Sequence, residues 1–238
     1  MKNNYNLIVF TLLITSHFLF SQENPSKYSE SNKGKFFVYW GGNRESYSDS
    51  DIRFKGADYD FTIYDVEAHD KPKGWHLDYI NPKKMTIPQT NFKIGYFITD
   101  KYNISFGVDH MKYVMTQNKR VKYSGYYPNQ GIYNENPSAN ELTLDEDFLT
   151  FEHTDGLNYI NSEISRYEDV SKLFKIQNTD KFQVNLQGGI GGGILYPKTN
   201  AKLLGKERHD DFHVSGYGVS AKAGINLTFF KHFFIVYE

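Results

Sequence analysis

The sequence predicts an all-β chain: an antiparallel up-and-down transmembrane β-barrel of about eight strands, seven of them present. Three observations point there. The stretch Phe182–Tyr196, FQVNLQGGIGGGILY, alternates with a period of two. The connections between similar stretches alternate between long polar segments and tight turns. Aromatics make up 17% of the chain, with 19 Tyr and 19 Phe, although the mean hydropathy is only −0.60. A barrel gives this combination because lumen-facing polar residues alternate with lipid-facing apolar ones and dilute any hydropathy window.

The Phe182–Tyr196 stretch sets the facing. Phe182, Val184, Leu186, Ile190, Ile194 and Tyr196 fall on one side, with Gly188 and Gly192 between them. Gln183, Asn185, Gln187, Gly189, Gly191 and Gly193 fall on the other. Successive residues of a strand show opposite faces, so one side is apolar and the other polar or bare. A helix would scatter the same residues around its circumference. About fifteen residues exceeds the usual strand of about 5–6.

In chain order, Lys2 followed by the apolar run Leu7–Phe20 and then Ser21 reads as a secretory signal peptide over residues 1–21. Fourteen or so apolar residues are too few for a helix across about 30 Å of hydrocarbon. Residues 22–34 read as a flexible leader, and residues 35–238 as the barrel. Lys35–Glu45 is the first strand, with Phe36, Val38 and Trp40 outward and Phe37, Tyr39, Gly41, Asn43 and Glu45 inward. Residues 46–88 form a long polar loop rich in aspartate and broken by Pro72, Pro82 and Pro88. Within it, Tyr59–Val66 alternates too unevenly to enter lipid, so any strand there stands above the rim.

Asn91–Thr99 and Tyr102–Met115 make a hairpin around Asp100-Lys101. Phe92, Ile94, Tyr96, Ile98, Ile104, Phe106 and Val108 point outward. Residues 116–155 are a second long loop. Gly156–Val170 is a weaker strand with Ile160 and Ile164 outward. Asn178-Thr179-Asp180 supplies turn chemistry before Phe182. Residues 197–212 are a third loop. Val214–Phe229 spans again, and Phe230-Lys231 turns into a strand from His232 to Glu238. Short turns mark the periplasmic side of such barrels, and the long loops 46–88, 116–155 and 197–212 the outer side. Seven strands is an odd count, which predicts a C-terminally truncated eight-stranded barrel.

Net charge −1 and the lack of any basic run give no case for nucleic acid. Zero cysteines exclude disulfides and thiolate metal sites, and suit an exported chain.

The signal segment, the alternating strands and the outward aromatics together resemble a small outer-membrane β-barrel of a Gram-negative bacterium, in the OmpA/OmpX and PagL/PagP size class. GVDHMKY (Gly107–Tyr113), EHTDGLNY (Glu152–Tyr159) and LYPKTNAKLLGKERHDDFHVSGYG (Leu195–Gly218) look like segments of flavobacterial-type barrels. The resemblance implies a monomer in the cell outer membrane, exported through the cleaved signal peptide. Its partners would be outer-membrane lipid and lipopolysaccharide, with insertion by the barrel-assembly machinery and no cofactor. Members of that class end in an aromatic residue, whereas this chain ends in Glu238.

Candidate chemistry lies in His/acid pairs. Asp109-His110 and Glu152-His153 are catalytic candidates, because a His beside a carboxylate acts as a general base. His209, Asp210, Asp211 and His213 are metal candidates. The bland reading is solvated loop charge or contact with anionic lipopolysaccharide. Lipid A deacylases of the PagL type place a His, a Ser and an acid on the barrel's outer face. Their His-x-Ser-Asn run is absent, because His110 is followed by Met111 and Lys112.

Inward Lys93, Glu163 and Lys222 would form a lumen charge network, since the interior of an eight-stranded barrel is just wide enough for side chains and buried charges need partners. The glycines at 188–193 lack the GK[ST] run of a phosphate loop and read as sites of close strand packing.

The expected function is therefore a structural or surface-binding barrel acting through polar loops. A lipid A-modifying hydrolase or acyltransferase of the PagL/PagP type is the alternative. A soluble lipocalin-like barrel is a third reading, distinguished by pointing its apolar residues inward.

Overall fold

The computed structural model describes residues 31–74, 76–80, 89–133 and 139–238. The expected signal peptide, most of the leader, and the loop residues 81–88 and 134–138 lie outside the described residues.

The chain is all-β. Its strands are β1 Phe36–Gly42, β2 Ser50–Lys55, β3 Asp60–Val66, β4 Ala68–His69, β5 Thr90–Phe97, β6 Tyr102–Met115, β7 Lys119–Tyr126, β8 Glu141–Leu144, β9 Leu149–Asp169, β10 Phe182–Leu203, β11 His209–Phe212, β12 Gly216–Phe229 and β13 Phe233–Tyr237. The main sheet is antiparallel and runs β1-β5-β6-β9-β10-β12-β13, with β4 added to β6 and β11 to β10. These seven path strands are the seven that the period-two alternation marks in the sequence.

The chain divides into two compact units. The larger holds residues 32–167 and 188–222, and the smaller 168–187 and 223–238. In the larger unit the main sheet curls strongly, as a half-barrel. Its two faces are chemically inverted relative to a water-soluble protein. Phe92, Ile94, Ile104, Phe106, Ile164 and Ile190 are exposed on the outer face, Ile190 at 67% and Phe106 at 53%. Lys93, Asn103, Ser105, Asn161, Glu163 and Ser165 on the inner face are buried. The register follows from the pleat: Phe92 lies opposite Val108 and Ile94 opposite Phe106, so apolar meets apolar across the ladder.

Local chemistry fixes the turns. Between β5 and β6, Thr99 Oγ1 accepts from the backbone N–H of Lys101 at 3.3 Å and of Tyr102 at 3.0 Å. Leader residues 32–34 are anchored to this turn: Lys33 N–H donates to Asp100 Oδ1 at 3.1 Å and Gly34 N–H to the Phe97 carbonyl at 2.9 Å. Residues 32–34, expected in a flexible leader, are thus held in place. Where β6 pairs β9, the register slips between Met111 and Tyr113. Gly156, opposite that slip, has φ +131°, which a side chain rarely adopts.

The long polar segments carry strands: Tyr59–Val66, read as a strand standing above the rim, contains β3, whereas residues 116–155, expected as a loop, also hold β7, β8 and the start of β9. β2, β3, β7 and β8 form a second, four-stranded sheet in the order β2-β3-β7-β8. It covers the main apolar core of the described residues: Phe61, Ile63, Val66, Met115, Val121, Tyr123, Tyr127, Leu142, Leu144, Phe148 and Leu149, all at 6% exposure or less. Each strand contributes alternate residues, such as Phe61 and Ile63 or Leu142 and Leu144, so a mostly polar segment still hides one apolar row. Residues 197–212 extend the main sheet, because β10 continues to Leu203 and β11 pairs with it.

In the smaller unit β12 and β13 form a hairpin pairing Ile225 with Tyr237 and Phe229 with Phe233. Phe230 and Lys231 both take positive φ, 51° and 65°, the backbone of a tight primed turn. Asn178 Oδ1 accepts from Asp180 N–H at 3.1 Å, an Asx turn leading into β10. Val184, expected on the lipid-facing row with Leu186, is buried. A single 3-10 turn, Ser171–Phe174, lies against it, with Val184 N–H donating to Ser171 Oγ at 3.0 Å.

Candidate functional site

The inner face of the larger unit gathers Lys93 from β5, Glu163 from β9 and Lys222 from β12. Glu163 Oε2 is 2.8 Å from Lys93 Nζ and 2.9 Å from Lys222 Nζ. The three side chains are 4%, 5% and 13% exposed. None of these strands neighbours another, since β6 lies between β5 and β9, and β10 between β9 and β12. The intervening positions are glycines. Gly107, opposite Lys93, has no Cβ to collide with the Lys93 chain crossing over it, and Gly191 lies under Glu163. One carboxylate thereby links three strands across two bare ones. A buried charge survives only when paired, and here the pairing is internal to the sheet. One row along, Asn161 Nδ2 donates to Asp109 Oδ2 at 2.7 Å, and Tyr159 O–H donates to the Gly218 carbonyl at 3.2 Å.

A second polar group sits beyond the end of β1. Gln89, fully buried, donates from Nε2 to Asp70 Oδ1 at 2.6 Å and to Glu45 Oε2. Glu45 N–H donates to Asp70 Oδ2 at 3.2 Å. Burial and then the Asp70 charge push the Glu45 carboxyl up to about 8. Nearby, Tyr47 O–H donates to the Lys112 carbonyl at 2.6 Å, and its ring meets Tyr113 at 5.0 Å. Sequence reading missed this trio as a group. Its one usable signal was parity, because Glu45 closes the inward row Phe37, Tyr39, Gly41 and Asn43.

The four catalytic candidates are engaged separately. Asp109 bonds Asn161, and His110 Nδ1 lies 2.8 Å from Asn158 Oδ1. Glu152 accepts from Asn200 Nδ2 at 2.8 Å and pairs with Lys71 at 3.6 Å. The His153 ring stands 5.7 Å from Tyr113 and 5.0 Å from Phe151. Burial pushes His153 down to about 4, so it is neutral near pH 7. These contacts join neighbouring strands and do not pair either His with the acid beside it in sequence.

Strand alternation divides the metal candidates. His209 Nε2 is 3.4 Å from Asp211 Oδ2, two residues on. Asp210 faces the other way and pairs with Lys198 at 3.2 Å and Arg208 at 3.4 Å. His213 Nδ1 lies 3.4 Å from the Asp211 carbonyl. Among the described residues no three His or carboxylate side chains are arranged to hold a metal ion.

Comparison with protein-family models, with curated proteins and with solved structures gives no match.

Proposed function

We propose that this protein is an outer-membrane β-barrel protein whose folded polar module, standing outside the bilayer, serves a structural or surface-binding role. One observation carries the reading: the main sheet exposes its apolar row and buries its polar one. A soluble sheet does the reverse, because apolar area left in water costs about 25 cal/mol per Å². Lipid removes that cost, and in the polar inner row Glu163 pairs with Lys93 and Lys222 while Asn161 donates to Asp109. β9 and β10 have 21 and 22 residues, about twice the 9–11 a tilted strand needs to cross a bilayer. The surplus continues beyond the apolar zone to the level of the second sheet, whose ordinary apolar core suits an aqueous setting. Lipid and lipopolysaccharide are the proposed surroundings, the barrel-assembly machinery the proposed route of insertion, and a monomer the proposed state.

The test is refolding of the full chain into phospholipid vesicles, followed by gel migration with and without heating. A band that migrates faster unheated, retained in the vesicles after an alkaline wash, is the expected result. A chain that folds in plain buffer and stays out of the vesicle fraction would overturn the reading.

A further inference from the structure

In the smaller unit, two neighbouring turns expose large apolar side chains among lysines. Leu173 and Phe174 on the 3-10 turn are 78% and 62% exposed, and Phe230 on the β12–β13 turn is 64% exposed. The β12–β13 turn is tied to the Asn178–Lys181 turn that follows the 3-10 turn: Phe230 N–H donates to the Lys181 carbonyl at 3.0 Å, and Lys231 Nζ pairs with Asp180 Oδ1 at 2.9 Å. Around these turns four lysines, Lys172, Lys175, Lys181 and Lys231, stand against three acids, Glu168, Asp169 and Asp180. Both aspartates are engaged locally, Asp169 Oδ1 by Ser171 N–H at 2.8 Å and Asp180 by Lys231. The surface offered outward is therefore apolar with a cationic border. The same unit continues this surface along its strands through Leu186, Ile225, Phe233 and Ile235, all exposed.

Charge and continuity together select the occupant. Apolar side chains rimmed by lysine match the boundary of a bilayer whose headgroups are anionic: the rings and Leu173 enter the acyl margin, while lysine stems lie along it and their ammonium groups stay at phosphate level. We propose that this turn surface is a docking surface for anionic phospholipid, with Leu173, Phe174 and Phe230 inserted and Lys172, Lys175 and Lys181 on the headgroup phosphates. The inference rests on the membrane reading above and adds a lipid preference at this end of the sheet.

The experiment compares insertion rates of the full chain into vesicles of phosphatidylcholine alone and of phosphatidylcholine with phosphatidylglycerol, read by heat-modifiable migration at low salt. Wild type inserts faster with phosphatidylglycerol, by on the order of tenfold or more, and added salt removes the gain. The variant K172Q/K175Q/K181Q inserts into phosphatidylcholine like wild type but loses most of the gain. L173S/F174S slows in both vesicles. Equal wild-type rates in the two vesicles, or a triple variant that keeps the full gain, would overturn this inference and leave the membrane reading standing. No heat-modifiable species in either vesicle would overturn both.

Discussion

A Cβ built on Gly191 would stand 2.5 Å from Glu163 Cγ. It would also stand 2.7 Å from the Ser162 carbonyl and 2.8 Å from Ser220 Oγ. The backbone carbonyl cannot swing away, so Gly191→Ala forces the β9–β10 ladder or the Glu163 side chain to move. Overpacking of this kind costs about 1–3 kcal/mol. Gly192, one residue on and facing the other way, would bring its Cβ no closer than 3.6 Å to anything. Gly192→Ala is therefore expected to leave stability almost unchanged. Urea unfolding of the two variants, read by gel migration, separates them; equal midpoints would contradict the geometry.

Glu163 holds two lysines, so its neutralisation leaves two buried ammonium groups against an amide. Breaking a buried ion pair by removing one partner costs about 3–5 kcal/mol, because the other charge remains uncompensated. Glu163→Gln is expected to fall in that range, and the combination with Lys93→Met to recover part of the loss. The exposed pair of Arg53 with Asp60, at 2.8 Å, provides a contrast. Asp60→Asn there is expected to leave stability almost unchanged, because solvent screens an exposed pair. Denaturant midpoints for the three variants check the order.

What could be read from the sequence follows the physics of each part. The seven main-sheet strands were legible because one side of each is largely apolar at every second residue, as Ile94, Tyr96, Ile104 and Phe106 show. Parity alone also put Lys93, Glu163 and Lys222 on one face. Their convergence needed register, which places Gly107 and Gly191 under the crossing side chains. The second sheet was legible only in Tyr59–Val66, for a different reason. β3, β7 and β8 bury only two or three apolar residues each, such as Val121 and Tyr123, and β2 only half-buries Ile52 and Phe54, in segments rich in Asp, Asn, Lys and Gly. Glu45, Asp70 and Gln89 lie in three separate segments, and no local pattern announces a contact between them.

The Glu45 carboxyl gives stability a pH slope. Its ordinary value is 4.5, and in the folded chain it titrates near 8. Between those values the folded state keeps a proton that the unfolded chain has released. Stability is therefore full below about pH 4.5, falls as pH rises toward 8, and levels off above. Glu45→Gln mimics the protonated form and removes this slope. Unfolding midpoints across that window are expected to fall with rising pH for wild type and to fall less for the variant. Parallel profiles would rule out Glu45 as the source.

Ile190 distinguishes a sheet bathed in lipid from one bathed in water. The side chain is 67% exposed, on the outer face of β10, in the row with Ile164 of β9. In water, a substitution at so open a position is worth about ±0.5 kcal/mol, and Ile190→Arg would be tolerated or mildly favourable. In a bilayer the same arginine must snorkel or drag water inward, at about 2–4 kcal/mol near the midplane and about 0–1 near the interfaces. Asn185, earlier in β10, serves as control: it is buried, its Nδ2 donates to Thr228 Oγ1 at 3.3 Å, and Asn185→Ala should cost about 1 kcal/mol in either solvent. Unfolding in vesicles is expected to show Ile190→Arg as the more damaging of the two. A benign Ile190→Arg beside a damaging Asn185→Ala would mean that the exposed row faces water, and the outer-membrane reading would fall with it.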